Sequence, residues 1–207
     1  MKKGKFEDSS ICVPVYDESI LIDMDTREDY NKPLSYFNTA APDRMECYAI
    51  QKIYNMPKNI IEHCLKVSEV SLGILKSLEI SGYKLNKAAL EAAALLHDIA
   101  RKEKNHALAG EAILKWIGYE YVGYIISTHM DIDIDENGRV TENEILYLSD
   151  KLVKGDKIIP IQERMKQCID AYRYDGEVKR KILYRFENAE KIIKKIEKIT
   201  GKGFAYG

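Results

Sequence analysis

From Pro42 onward, apolar residues recur at three- and four-residue spacing, the mark of helices that each bury one face. The pattern predicts helices over 43–55, 57–80, 86–101, 106–117, 119–130, 142–155, 161–173 and 177–199. Turn-forming residues separate them, among them Ser81-Gly82, Asp135-Glu136-Asn137-Gly138 and Asp175-Gly176. No strand-like alternation follows residue 40 and no internal repeat is visible, so residues 42–207 read as an all-α domain of about seven or eight helices. The last helix places Val178, Ile182, Phe186, Ala189, Ile193 and Ile196 in one stripe, read as packing on the body with its lysines solvated. A coiled coil or a nucleic-acid face is the alternative for that stripe.

The first forty residues follow another pattern. Ile20 to Asp23 reads as a short strand, and Thr26 caps a short helix to about Phe37, with Glu28 and Asp29 in its first turn. This N-terminal arm, residues 1–41, ends in the break at Asn38 to Pro42.

Composition narrows the classes. With 45% apolar and 31% charged residues, and 12 Gly and 5 Pro in 207 residues, disorder and fibres are excluded. Uncharged stretches reach only about ten residues, half of the ~20 that span a bilayer, so no membrane association is expected. A net charge of −1 provides no global field for double-stranded nucleic acid, so any anion must be gripped locally. Cys12, Cys47, Cys64 and Cys168 are scattered without a C-x-x-C, which suits reduced thiols and a cytoplasmic location.

There are four histidines. His63 shares a helix face with Ile60 and Val67 and is expected to point inward. His97 and Asp98 follow Leu90-Glu-Ala-Ala-Ala-Leu-Leu96, whose small side chains let neighbouring helices approach closely, so the pair is expected in the bundle interior. Asp150 falls in step with Leu146 and Val153. Two unpaired buried carboxylates would each cost several kcal/mol, so something cationic is required beside Asp98 and Asp150.

The order His63, His97-Asp98, Asp150 resembles the signature of the HD-domain phosphohydrolase superfamily. Two-metal members carry two further histidines between the doublet and the last aspartate, and His106 and His129 stand in the corresponding places. The run His97 to Gly110 resembles the branch that includes symmetrical diadenosine tetraphosphate hydrolases, with a shorter link to the second histidine. The resemblance implies an HD helical bundle in which His63, His97, Asp98 and Asp150 hold one divalent ion. It assigns a second ion to His106 and His129, bridged by Asp98. Mixed nitrogen and oxygen donors favour Fe or Mn, with Zn, Co or Ni as alternatives to them, over Mg. The implied activity is hydrolysis of a phosphate ester or phosphoanhydride of a nucleotide or other small phosphorylated metabolite by a metal-activated water. Asp98 and Arg101 are the catalytic candidates, and Arg101, Lys102 and Lys151 the candidates for phosphate contact. Oligomeric state stays open.

Two rival readings accompany this one. An HD module that binds a nucleotide without turning it over keeps the same residues. Separately, Asp133 to Glu144 fits an EF-hand calcium loop, which suggests a helical interaction protein, although its parts also read as a turn and a Thr141-Glu144 capping box. In the arm, Val15 to Tyr30 resembles the closing strand and helix of a molybdopterin-type nucleotidyltransferase without that family's Gly-rich loop, and is read as a remnant.

Overall fold

The computed structural model describes residues 41–172, 174–204 and 206. The readings placed on the arm, its strand, its helix and its nucleotidyltransferase likeness, lie outside these residues. The described part is mostly helical: α1 Arg44–Ile53, α2 Lys58–Ile80, α3 Lys87–Leu96, α4 His106–Trp116, α5 Glu120–Ser127, α6 Glu142–Leu152, α7 Ile161–Ala171 and α8 Gly176–Thr200. None of these helices is long and apolar enough to cross a membrane.

Four of the described helices, α1, α3, α6 and α8, begin where a side chain satisfies a free backbone N–H. Asp43 and Glu46 close a capping box at α1, Asn86 accepts from the Ala89 amide at α3, and Thr141 and Glu144 close a second box at α6. The middle layer is α3. Ala89, Leu90 and Ala92 to Leu96 are fully buried, and the helix packs on α1, α2, α5 and α6. Its alanines keep the surrounding helices near enough for their side chains to meet across its end. Close approach recurs between α4 and α5, where a Cβ on Gly123 would stand 3.0 Å from the Glu111 carbonyl oxygen.

Three expectations are corrected. The third helix ends at Leu96, five residues short of 101. Beyond it the chain turns through three-residue hydrogen bonds, Ile99 N–H to Leu96 O and Arg101 N–H to Asp98 O, each 3.0 Å. Ile99 and Ala100 stay buried through these turns, so the apolar pattern outlasts the helix. Likewise α5 stops at Ser127, leaving His129 beyond it. Finally, α6 stops at Leu152, and Val153–Lys154 pairs antiparallel with Lys157–Ile158 as a hairpin, β1 and β2, where only helix was expected. Two-residue strands are too short to alternate visibly, and Gly155 takes the positive φ of 62° that their tight turn requires.

The EF-hand-like loop has a different occupant. The Lys195 ammonium, on the buried stripe of α8, donates to the carbonyls of Asp135 (2.9 Å) and Arg139 (3.2 Å) and to Glu144 Oε1 (2.6 Å). A lysine nitrogen thus stands among the loop's oxygens, and the last carboxylate of the motif is also occupied by the capping box. With Lys195 only 7% exposed, removing its charge strands a buried Glu144. Lys195→Met is expected to lose about 3–5 kcal/mol of unfolding free energy in urea, and Lys195→Met with Glu144→Gln to recover part of it. An unchanged midpoint for the single variant would show that the ammonium does not hold this loop.

Candidate metal centre

Six polar side chains reach the middle of the bundle from five places: His63 from α2, His97 and Asp98 from the turn after α3, His106 from the first residue of α4, His129 from just past α5, and Asp150 from α6. Asp98, His97 and His129 are almost wholly buried. The C-terminal ends of α3 and α5 supply three of the six, His97, Asp98 and His129, so the carbonyls of those ends are close at hand.

The carbonyls fix the imidazoles. His97 Nδ1–H donates to Ala94 O at 2.9 Å and His129 Nδ1–H to Ile126 O at 2.6 Å, each three residues back at the end of its own helix. His63 Nδ1–H donates to Gly155 O in the hairpin turn at 3.0 Å. With Nδ1–H given to a carbonyl, the Nε2 atoms of these three rings face inward, the orientation that a backbone partner imposes on metal-bound histidines.

The inward nitrogens meet the two carboxylates. His63 Nε2 lies 3.1 Å and His97 Nε2 3.7 Å from Asp150 Oδ1, while His97 Nε2 is also 3.7 Å from Asp98 Oδ2. On the other side His106 Nε2 stands 3.4 Å and His129 Nε2 3.7 Å from Asp98 Oδ1, with the two nitrogens 3.1 Å apart. Two triplets therefore have donor atoms within 4.8 Å of one another, His63-His97-Asp98 and Asp98-His106-His129, and Asp98 belongs to both. His97 Nε2 is buried without a hydrogen-bond partner. An orphaned nitrogen amid lone pairs and carboxylate oxygens is what a cation would satisfy, and the mixed donor set fits a transition-metal ion.

Electrostatics point the same way. Burial pushes the Asp98 carboxyl up, yet His97, Arg101 and His129 hold it below the usual carboxylate range. Asp150 is held well below that range against a similar burial cost, by Lys151, His63 and His97. Burial works against a proton on His97, but Cys64, Asp98 and Asp150 keep its pKa well above the ordinary imidazole value. Burial and the His97 charge press His129 down to about 3, and burial lowers His106, so both are neutral at physiological pH and free to donate a lone pair.

The three basic candidates differ in placement. Arg101 is half-exposed, with Nη1 3.2 Å from Asp98 Oδ1 and 3.3 Å from His106 Nε2. Lys151 is buried, donates to Asp150 Oδ2 at 2.8 Å and His129 O at 2.9 Å, and lies over the Tyr147 ring. Lys102 is exposed and lines a neighbouring cavity beside Arg101.

A cleft of about 370 Å³ opens onto His63, Asp98 and Asp150. Its far wall comes from α7 and α8 and includes Arg164, Cys168, Ile182, Arg185 and Phe186. The sequence reading missed these residues. Arg185 directly precedes Phe186 of the apolar stripe, the only hint of its inward edge, and it is clamped by both oxygens of Asp131 at 2.7 Å. Nothing in the sequence marks Gly155 as the partner of His63, because the contact joins residues 92 positions apart.

An uncharacterized protein from Methanocaldococcus jannaschii is 26% identical to this chain over 127 residues, 53% of this chain and 75% of that protein. No solved structure matches. The family model for the HD domain matches residues 60–155, from the first turn of α2 to the hairpin turn, and so includes all six side chains of the centre: over this segment the helical bundle is similar to an HD domain.

Proposed function

We propose that the protein is a metal-dependent phosphohydrolase, acting on a phosphate ester or phosphoanhydride of a nucleotide or similar small metabolite. The observation that carries this reading is the convergence of four inward Nε2 atoms on Asp98 and Asp150, with a buried nitrogen of His97 left unpartnered. His63, His97, Asp98 and Asp150 would hold one divalent ion, and His106 and His129 a second one shared through Asp98. Bound there, such ions supply Lewis acidity toward phosphoryl oxygens and lower the pKa of a water.

The chain's own groups do the rest. Backbone carbonyls of Ala94, Ile126 and Gly155 take the Nδ1–H of three imidazoles and hold their Nε2 atoms toward the centre. Lys151 acts on two ligands at once, through the Asp150 carboxylate and the His129 carbonyl, which makes it a positioning residue rather than a phosphate contact. Arg101 has its guanidinium half in solvent at the rim of both triplets, where it can meet a phosphoryl oxygen and help neutralise developing charge. Lys102, exposed in the neighbouring cavity, adds positive field beside Arg101.

Metal analysis with a panel of phosphoesters and nucleotides tests the reading. Purified protein is expected to carry Fe, Mn or a similar ion and to hydrolyse members of the panel. Asp98→Ala should lose both the metal and at least about a thousandfold in turnover, equivalent to ~4 kcal/mol of barrier. Lys151→Met should weaken metal affinity about 10- to 100-fold without changing the KM of metal-saturated enzyme. Full activity in Asp98→Ala would refute the assignment, and metal with no turnover on any substrate would leave the silent regulatory module.

The raised pKa of His97 gives a pH dependence with a definite sign. The ion-free site keeps a proton on His97 through neutrality, and a metal must expel it. Affinity should therefore climb about tenfold per pH unit below that pKa and level off above it. Calorimetric titrations in buffers of different ionisation enthalpy at about pH 6 and 7 should register close to one proton released as the ion at His97 binds. No proton release would mean that His97 is not a ligand.

A further inference from the structure

Five basic residues line the cleft that opens onto the His–Asp cluster: Arg101, Lys151, Lys154, Arg164 and Arg185. Three of them already face carboxylates, Arg101 on Asp98, Lys151 on Asp150 and Arg185 on Asp131. Lys154 is exposed, and its ammonium donates to the Gln167 side-chain oxygen at 2.7 Å. Arg164 differs from all four. It is half-buried, has no acidic partner among the described residues, and spends Nη1 on the weak acceptor Cys168 Sγ at 3.0 Å. Its Nε is buried with no hydrogen-bond partner.

A guanidinium held this way is poorly served by its own fold, since a buried N–H left unmade is costly and a thiol offers little to a full charge. The surrounding wall sharpens the point: Ile60, Val153, Ile182 and Phe186 line the same cleft, so a charge there is less screened than at the surface. With Nη1 engaged by sulfur, the edge formed by Nε and Nη2 is the one left for a planar or tetrahedral oxyanion. A small rotation of the side chain would bring that edge to the cleft.

We propose that Arg164 seats a second oxyanion of the substrate, so that the preferred substrate carries a further phosphate or a carboxylate beyond the phosphoryl group lying at the His–Asp cluster. The inference rests on the phosphohydrolase reading for the first group, and it names the substrate class as a doubly anionic phosphocompound rather than a simple monoester. It also makes α7, which follows the 60–155 segment matched by the HD domain, the element that selects the substrate.

Binding of inorganic diphosphate, orthophosphate and malonate to metal-loaded protein tests this without requiring turnover. Wild type should bind diphosphate about tenfold or more tightly than orthophosphate, the scale of one charge-assisted pair. Arg164→Gln should bring that ratio near one while leaving orthophosphate affinity unchanged, and Arg164→Lys should keep part of it. Thermal melts and metal content identical to wild type would certify the variants as folded. Malonate competing with diphosphate in wild type but not in Arg164→Gln would mark a carboxylate as an acceptable second group; failure of malonate to compete in wild type, with the diphosphate preference kept, would mark a phosphate. An equal ratio in wild type and Arg164→Gln would overturn the proposal. The ratio is read separately from hydrolysis: a diphosphate preference without turnover leaves Arg164 in place and sinks only the enzyme reading, and turnover without the preference does the reverse.

Discussion

Two carboxylates inside a helical bundle set the terms for the rest of this molecule. Asp98 is 2% exposed and Asp150 sits against two imidazoles, and neither could stay ionised there without positive charge at hand. The chain answers with Lys151 and Arg101 from one side and a proton on His97 from within, which is enough to keep both carboxyls below their ordinary pKa. That arrangement is a substitute. It leaves His97 Nε2 unpartnered and brings His106 and His129 nitrogens to 3.1 Å, contacts that a divalent ion would turn from a cost into coordination.

The fold is organised to bring about this meeting. The alanines of α3 draw α1, α2, α5 and α6 inward, and the helix then stops at Leu96, so that His97 and Asp98 emerge where neighbouring helices converge. Ending helices here is chemically useful, because carbonyls in the last turns of α3 and α5 are at hand: Ala94 O accepts from the His97 ring, and Ile126 O accepts from the His129 ring as well as from its backbone N–H. The hairpin does the same for His63 through Gly155, which ties the far end of the HD segment back to its beginning.

Much of this was legible in the sequence, for physical reasons that differ from residue to residue. His63 and Asp150 were readable because each interrupts an apolar helical face, and a polar group in such a register has to have a partner. His97-Asp98 stood out against the alanine run before it. The helix end at Leu96 was not readable, since the turns that follow keep Ile99 and Ala100 inward and no Gly or Pro marks the stop. The β1-β2 hairpin escaped because two residues cannot show a period. The calcium-loop pattern at Asp133 to Glu144 was read correctly as spacing, but the ammonium of Lys195, 51 residues beyond Glu144, is a tertiary fact that no local motif records. Arg164 and Arg185 were hidden for the same reason: on a lysine- and arginine-rich helix face, only packing distinguishes the one that turns toward a cleft.

The central claim is that these side chains form a metal centre. Crystals of the protein loaded with manganese, measured on both sides of the manganese absorption edge, test it most directly. An anomalous peak is expected at about 2.0–2.3 Å from His63 and His97 Nε2 and from oxygens of Asp98 and Asp150. Crystals with no anomalous density among these six residues, or with His97 Nε2 hydrogen-bonded to a protein group instead, would contradict it.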